Sequence, residues 1–177
     1  MKGTLLIYAS TVSVPNMLKK RTVVKQKIRE SYSHVVNGVS LIYKGLKEIK
    51  IRITLSGFII FQNAALFPHN SSKVTRFNGT TYIDIVDYHD DLTRWDAQHG
   101  ADFKPNFDHA MLFTRHELYE GLITINDVYG LCWNGMVCVP GKRTSVVQTE
   151  DYVATVLTAA HELGHRLKII DKRFLIC

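Results

Sequence analysis

The sequence predicts one α/β domain over residues 1–177, a twisted mixed sheet packed against long helices. Three observations predict it. Apolar residues recur at spacings of three and four from Val24 to Leu46, the period of an amphipathic helix. Ile49, Ile51, Ile53 and Leu55 alternate with Lys50, Arg52 and Thr54, the period of a half-buried strand. Helical and strand patterns then interleave with no repeat, low-complexity run or compositional break between them.

Taken in order, Leu5 to Ala9 reads as the first strand. With Lys2 ahead of it, the same segment also outlines a weak signal peptide, without a clean small-residue cleavage site. The strand reading is preferred. The long helix runs from about Lys19 to Lys47, its inner stripe being Val24, Ile28, Tyr32, Val35, Val39, Ile42 and Leu46. The next strand continues past Gly57 through Phe58 to Phe61. Residues 62–80 are polar and read as a surface loop.

A second helix is expected from about Thr81 to Gln98, with Ile85, Tyr88, Leu92 and Trp95 inward and aspartates outward. His109 to Thr114 and Gly121 to Ile125 read as strands, Gly130 to Arg143 as a loop, and Thr144 to Gln148 as a short strand. Thr149, Glu150 and Asp151 are helix-start residues for a third helix.

The composition is that of a globular chain, 46% hydrophobic and 21% charged. No apolar run is long enough to span a bilayer. The net charge of +6 arises largely between Lys19 and Arg52, where a solvated helix face accounts for it better than a nucleic-acid or glycan surface. No phosphate loop, nucleophile elbow or dinucleotide fingerprint is present. Three cysteines, Cys132, Cys138 and Cys177, leave at least one without an intrachain partner. Asn70 and Asn78 lie in glycosylation sequons within one polar stretch, as expected of a secreted protein. His34, His69, His89, His99 and His116 are scattered and read as surface or loop residues; His109, beside Asp108, reads as structural.

The third helix carries His161-Glu162-Leu163-Gly164-His165. Residues four apart share a helix face, so two imidazoles can address one metal ion. Glu162, next to the first histidine, is placed to take a proton from water rather than to bind the metal. Such a string arises by chance in roughly one chain of this composition in a hundred. Val153, Val156, Leu157, Ala160 and Gly164 make the helix apolar and small-sided on its expected inner faces. A helix buried there would need partners for its histidines and glutamate, and zinc would be one. His161 and His165 are therefore the candidate zinc ligands and Glu162 the candidate catalytic base.

Ala160 to His165 resembles the active-site helix of the reprolysin or ADAM-type metzincins. The resemblance covers most of the chain. Phe107 to Phe113 is similar to the family's Asp-His strand, Gly121 to Ile123 to its edge strand, and Val146 to Gln148 to the strand before the helix. The resemblance implies the metzincin upper subdomain, a Zn2+ cofactor, a protein or peptide substrate laid antiparallel on the edge strand, and an extracellular setting.

Two positions depart from the family pattern: Lys168 stands at its glycine and Asp171 at its third histidine, and no histidine follows His165. Lys168 favours continuation of the helix, which would turn Asp171 away from the two histidines. Asp171 is thus expected to be an exposed carboxylate rather than a ligand. The family's lower subdomain would be mostly absent. Two functions stand against each other: a zinc endopeptidase impaired by loss of its third ligand, and a non-catalytic secreted module binding a partner or anionic glycan. Salt-dependent heparin binding that survives Glu162→Ala would favour the second.

Overall fold

The computed structural model describes residues 2–10, 18–47, 50–61, 74–103, 107–121 and 128–168. Eight strands and three α-helices are found among them: β1 (Lys2–Ser10), α1 (Leu18–Lys44), β2 (Arg52–Phe61), β3 (Val74–Phe77), β4 (Thr80–Asp84), α2 (Ile85–His99), β5 (His109–Thr114), β6 (Glu117–Tyr119), β7 (Gly130–Cys132), β8 (Thr144–Gln148) and α3 (Tyr152–Arg166).

The main sheet has the order β2-β1-β5-β8-β7. Its first four strands are parallel and β7 runs antiparallel to β8. The register between β1 and β2 slips at Leu5/Leu6, which pair with Leu55 and Gly57, so Ser56 is the extra residue of a bulge. A smaller sheet, β3-β4-β6, lies beside it.

Strand periodicity sorts the core into two layers. On β5, Met111 and Phe113 join the cluster under α1 and α3, while Ala110 and Leu112 join the one under α2. On β8, Val147 and Val146 divide in the same way. Every residue of β5 and β8 is buried, as parallel strands covered on both faces should be. The domain is a three-layer α/β/α sandwich. Helix α1 crosses α3 closely at Gly38, where a Cβ would lie 2.9 Å from Val156 Cγ2. The Tyr43 hydroxyl donates to the Ala160 carbonyl at 2.8 Å and locks the two helices together beside the histidines.

The strands at 109–114 and 144–148 agree with the sequence reading. Other elements differ from it. Residues 81–84 are strand, not helix: Asp84 ends β4 and its carboxylate accepts from the Val86 and Asp87 amides, so α2 starts one turn later. The polar stretch before it contains β3, which turns into β4 through Asn78 and Gly79 at φ of 50° and 80°, the paired left-handed conformation of a tight hairpin. The Asn78 side chain is exposed at that tip.

The aspartates of α2 do not all face solvent, since Asp91 and Asp96 are buried. Asp96 Oδ2 accepts from Arg143 Nε at 3.2 Å and the Gly141 amide at 3.0 Å. His89 is buried as well, its Nε2 donating to the Thr144 carbonyl at 3.0 Å. Polar residues on α2 thus grip the start of β8, a pairing that hydrophobic periodicity does not register.

Candidate active site

Helix α3 begins at Asp151, whose carboxylate accepts from the Ala154 amide at 2.9 Å. From there Thr155, Val156, Ala159, Ala160, Glu162, Leu163 and Arg166 turn inward. Val153 and Leu157 are more than half exposed, which corrects their expected inner position. They lie one turn apart in line with His161, which is also exposed.

The two histidines converge. Nε2 of His161 and Nε2 of His165 are 2.9 Å apart, with the rings nearly perpendicular at 84°. Two imidazole nitrogens on one tetrahedral zinc sit about 3.3 Å apart, given Zn–N bonds of about 2.0–2.1 Å. A small opening of the rings would fit both nitrogens to such an ion. Among the described residues, no group of three His, Cys, Asp or Glu side chains is arranged to hold a metal. Asp171 lies outside the described residues.

Glu162 lies between the helix and β7, near enough to both imidazoles for each to act on its charge. Its side chain is buried, and burial raises the pKa of its carboxyl. A Cβ built on Gly130 would lie 2.6 Å from Glu162 Oε1, so only glycine there leaves room for the carboxylate. Two residues on, the Cys132 thiol donates to the Glu162 carbonyl at 3.3 Å. Cys132 is a free thiol whose pKa burial pushes up, whereas Cys138 is disulfide-bonded. The region read as a loop therefore contains the antiparallel edge strand. Its inner side pairs with β8 from Gly130↔Val147 to Cys132↔Ser145, and its outer side pairs with no described strand. Of the segment expected to be the edge, Gly121 to Ile125, residues 122–125 lie outside the described residues.

Arg166, the residue after the second histidine, is completely buried. Its guanidinium donates to the carbonyls of Trp133 and Met136, each at 2.6 Å, and burial lowers its pKa to about 10. It fastens the loop after β7 to the helix that carries the histidines. The sequence reading overlooked this residue; a lone arginine directly after the histidine pair, on a helix already judged buried, was the available signal.

The helix ends where the sequence suggested that it would continue. Leu167 caps it and Lys168 adopts φ of 52°, the left-handed conformation that glycine would take more readily. The carbonyl of His165 accepts from the Gly135 amide at 3.1 Å as well as from the Lys168 amide at 3.2 Å. A Cβ at Gly135 would collide with Lys168 Cε, so the lysine stem occupies the space over that glycine.

The family model described as "Metallo-peptidase family M12B Reprolysin-like" matches residues 30–168. The chain belongs to this metallopeptidase family. Among curated relatives, "Venom metalloproteinase 2" of Eulophus pennicornis is 26% identical over 139 residues, covering 74% of this chain and 31% of the relative. "A disintegrin and metalloproteinase with thrombospondin motifs 4" of Rattus norvegicus is 43% identical over 72 residues, covering 41% of this chain and 11% of the relative. The rat protein of the same series with motifs 1 is 40% identical over 74 residues, covering 40% and 7%. The chain thus spans less than a third of the length of these relatives. A solved structure described as "Structure of a chaperone-substrate complex" superposes with a TM-score of 0.50 at 11% identity, over 94% of this chain and 23% of that one. That likeness concerns the fold alone. In this reprolysin-like chain the parallel sheet and its antiparallel strand β7 lie beside the histidine helix.

Proposed function

We propose that this chain is a secreted zinc metalloendopeptidase acting on extracellular proteins, with His161 and His165 as metal ligands and Glu162 as general base. The observation that carries the proposal is the convergence of the two ring nitrogens at 2.9 Å on the helix whose next residue, Glu162, faces the edge strand. When bound, zinc supplies Lewis acidity, acidifying water and polarising a peptide carbonyl. The residues of the chain do the rest. The side of β7 that pairs with no described strand offers backbone groups to an extended peptide, which would lie as a further strand. The Glu162 carboxylate, held beside that strand, accepts the proton of the attacking water and returns it to the leaving amine. A secreted setting is supported by the venom relative and by the sequon at the exposed Asn78 turn. No helix among the described residues is long and apolar enough to cross a membrane.

A second reading is a non-catalytic pseudoprotease that binds a partner or glycan. It is favoured by the two-histidine donor set, with no third donor assembled among the described residues. The end of α3 at Arg166 removes the objection that a continuing helix would carry Asp171 away. Zinc stoichiometry by equilibrium dialysis and cleavage of quenched peptides separate the two readings. For the peptidase, one zinc per chain binds, His161→Ala abolishes binding, and Glu162→Gln retains the metal but stops turnover. If Asp171→Ala weakens zinc binding, the carboxylate is the third ligand. Failure of wild type to hold zinc or to cleave would leave the non-catalytic reading.

A further inference from the structure

Behind the histidine site, at the opposite end of α3, lies a cavity of about 850 Å3. It opens at the carboxyl ends of the parallel strands β5 and β8, where Arg115 and Thr149 follow the last strand residues. The Thr149 amide donates to the Thr114 carbonyl at 2.6 Å and pins the two strand ends together. The amino-terminal half of α1 and the first turn of α3 form the other walls. Crevices outside the carboxyl ends of parallel strands are where open α/β sheets take ligands, and this volume is that of a small-molecule site.

None of His161, Glu162 and His165 lines the cavity. Thr155, its last α3 residue, precedes His161 by six residues, about 9 Å along a helix rising 1.5 Å per residue.

The lining has two chemistries. Val24 and Ile28, the first members of the apolar stripe on α1, face the cavity and are only partly buried. Further along the stripe Val35 and Val39 are buried, whereas Ile42, read as inward from the sequence, is exposed. Tyr32 continues the floor, its ring stacked on Phe113 with centroids 4.5 Å apart. Its hydroxyl shares a hydrogen bond with Thr149 Oγ1 at 3.1 Å. Over this floor stand Lys27 and Arg115, which have no ion-pair partner among the described residues. One carboxylate, Glu150, also lines the cavity and is already engaged by Gln148 Nε2 at 2.5 Å. Two cations with no ion-pair partner among the described residues, above an apolar floor that includes the Tyr32 and Thr149 hydroxyls, complement one kind of small ligand.

We propose that this cavity binds a small amphipathic organic anion, a carboxylate on a flat apolar body, with the anion at Lys27 and Arg115 and the body over Val24, Ile28 and Tyr32. The test is calorimetric titration of the full chain with 2-naphthoate and its neutral isostere, 2-naphthamide. The expected result is one saturable naphthoate site per chain, with naphthamide about tenfold weaker, as for loss of a charge-assisted contact. The Lys27→Gln/Arg115→Gln double variant, altered only at exposed positions, should bind naphthoate as weakly as wild type binds naphthamide. Ile28→Trp, which fills the floor, should abolish binding while a cooperative thermal transition is retained. The proposal is overturned by absence of saturable binding, by equal affinity for the two ligands, or by unchanged naphthoate affinity in either variant.

Discussion

Gly130 and Glu162 share one space: a Cβ on the edge-strand glycine would lie 2.6 Å from the glutamate Oε1. The carboxylate is held between α3 and β7 only because the strand has no side chain there. Gly130→Ala should therefore destabilise the domain by about 1–3 kcal/mol, the usual penalty of overpacking. In a Glu162→Ala background the same change should cost little, since the clashing group is gone. A double-mutant cycle from urea unfolding measures the coupling. Additive effects would mean that the two residues do not compete for this space.

Lys168 stands in the left-handed region at φ of 52°. Lys168→Gly should stabilise the protein by about 0.5–1 kcal/mol, because glycine takes that conformation without the side-chain clash. The gain is reduced by the greater freedom of glycine in the unfolded chain and by loss of the lysine stem over Gly135. Thermal unfolding reads it, and a lower midpoint would show that the stem contributes more than the backbone strain costs.

Arg166 is buried with two carbonyls as acceptors. Arg166→Ala leaves a cavity and strands both carbonyls, so a loss of about 3 kcal/mol or more is expected. Arg166→Lys should recover only part of it, since an ammonium lacks the planar fork that reaches both oxygens. Denaturant titration of the two variants gives the comparison. Equal stability of wild type and the alanine variant would contradict the anchoring role.

His89 and His109 are buried, and burial is the first cause lowering both pKa values from 6.5. His109 pairs through Nε2 with Ser145 Oγ at 2.9 Å. Burial disfavours the charged form of both rings in the fold, while in the unfolded chain they titrate near 6.5. Below that pH the unfolded state binds more protons than the folded one. The stability that these residues contribute is thus full above about pH 6.5 and falls as the pH drops towards their folded-state values. Melting curves from pH 8 to 5 should show the decline, and His109→Gln should flatten it. An unchanged slope in that variant would remove His109 from the account.

The histidine-glutamate unit, its helix and the strands at 109–114 and 144–148 were legible in the amino-acid order, because each rests on periodicity within a short window. The three-residue edge strand was not. Gly130-Leu131-Cys132 has turn-like composition and becomes a strand only by pairing with β8, more than ten residues further on. The same holds for His89, Asp91 and Asp96: apolar spacing ranks faces by hydrophobicity and says nothing of a polar group whose partner lies on another element.

The sequence by itself determined the family resemblance: which side chains stand four apart on a helix, and that a carboxylate lies between them. Tertiary structure alone decided where that helix stops and what its glutamate faces. Lysine at 168 argues for continuation by local preference, yet the Gly135 amide reaches the His165 carbonyl and the chain turns. The glutamate faces β7 because Gly130 leaves it room. Both outcomes are set by close approach of segments about thirty residues apart, which local spacing does not encode.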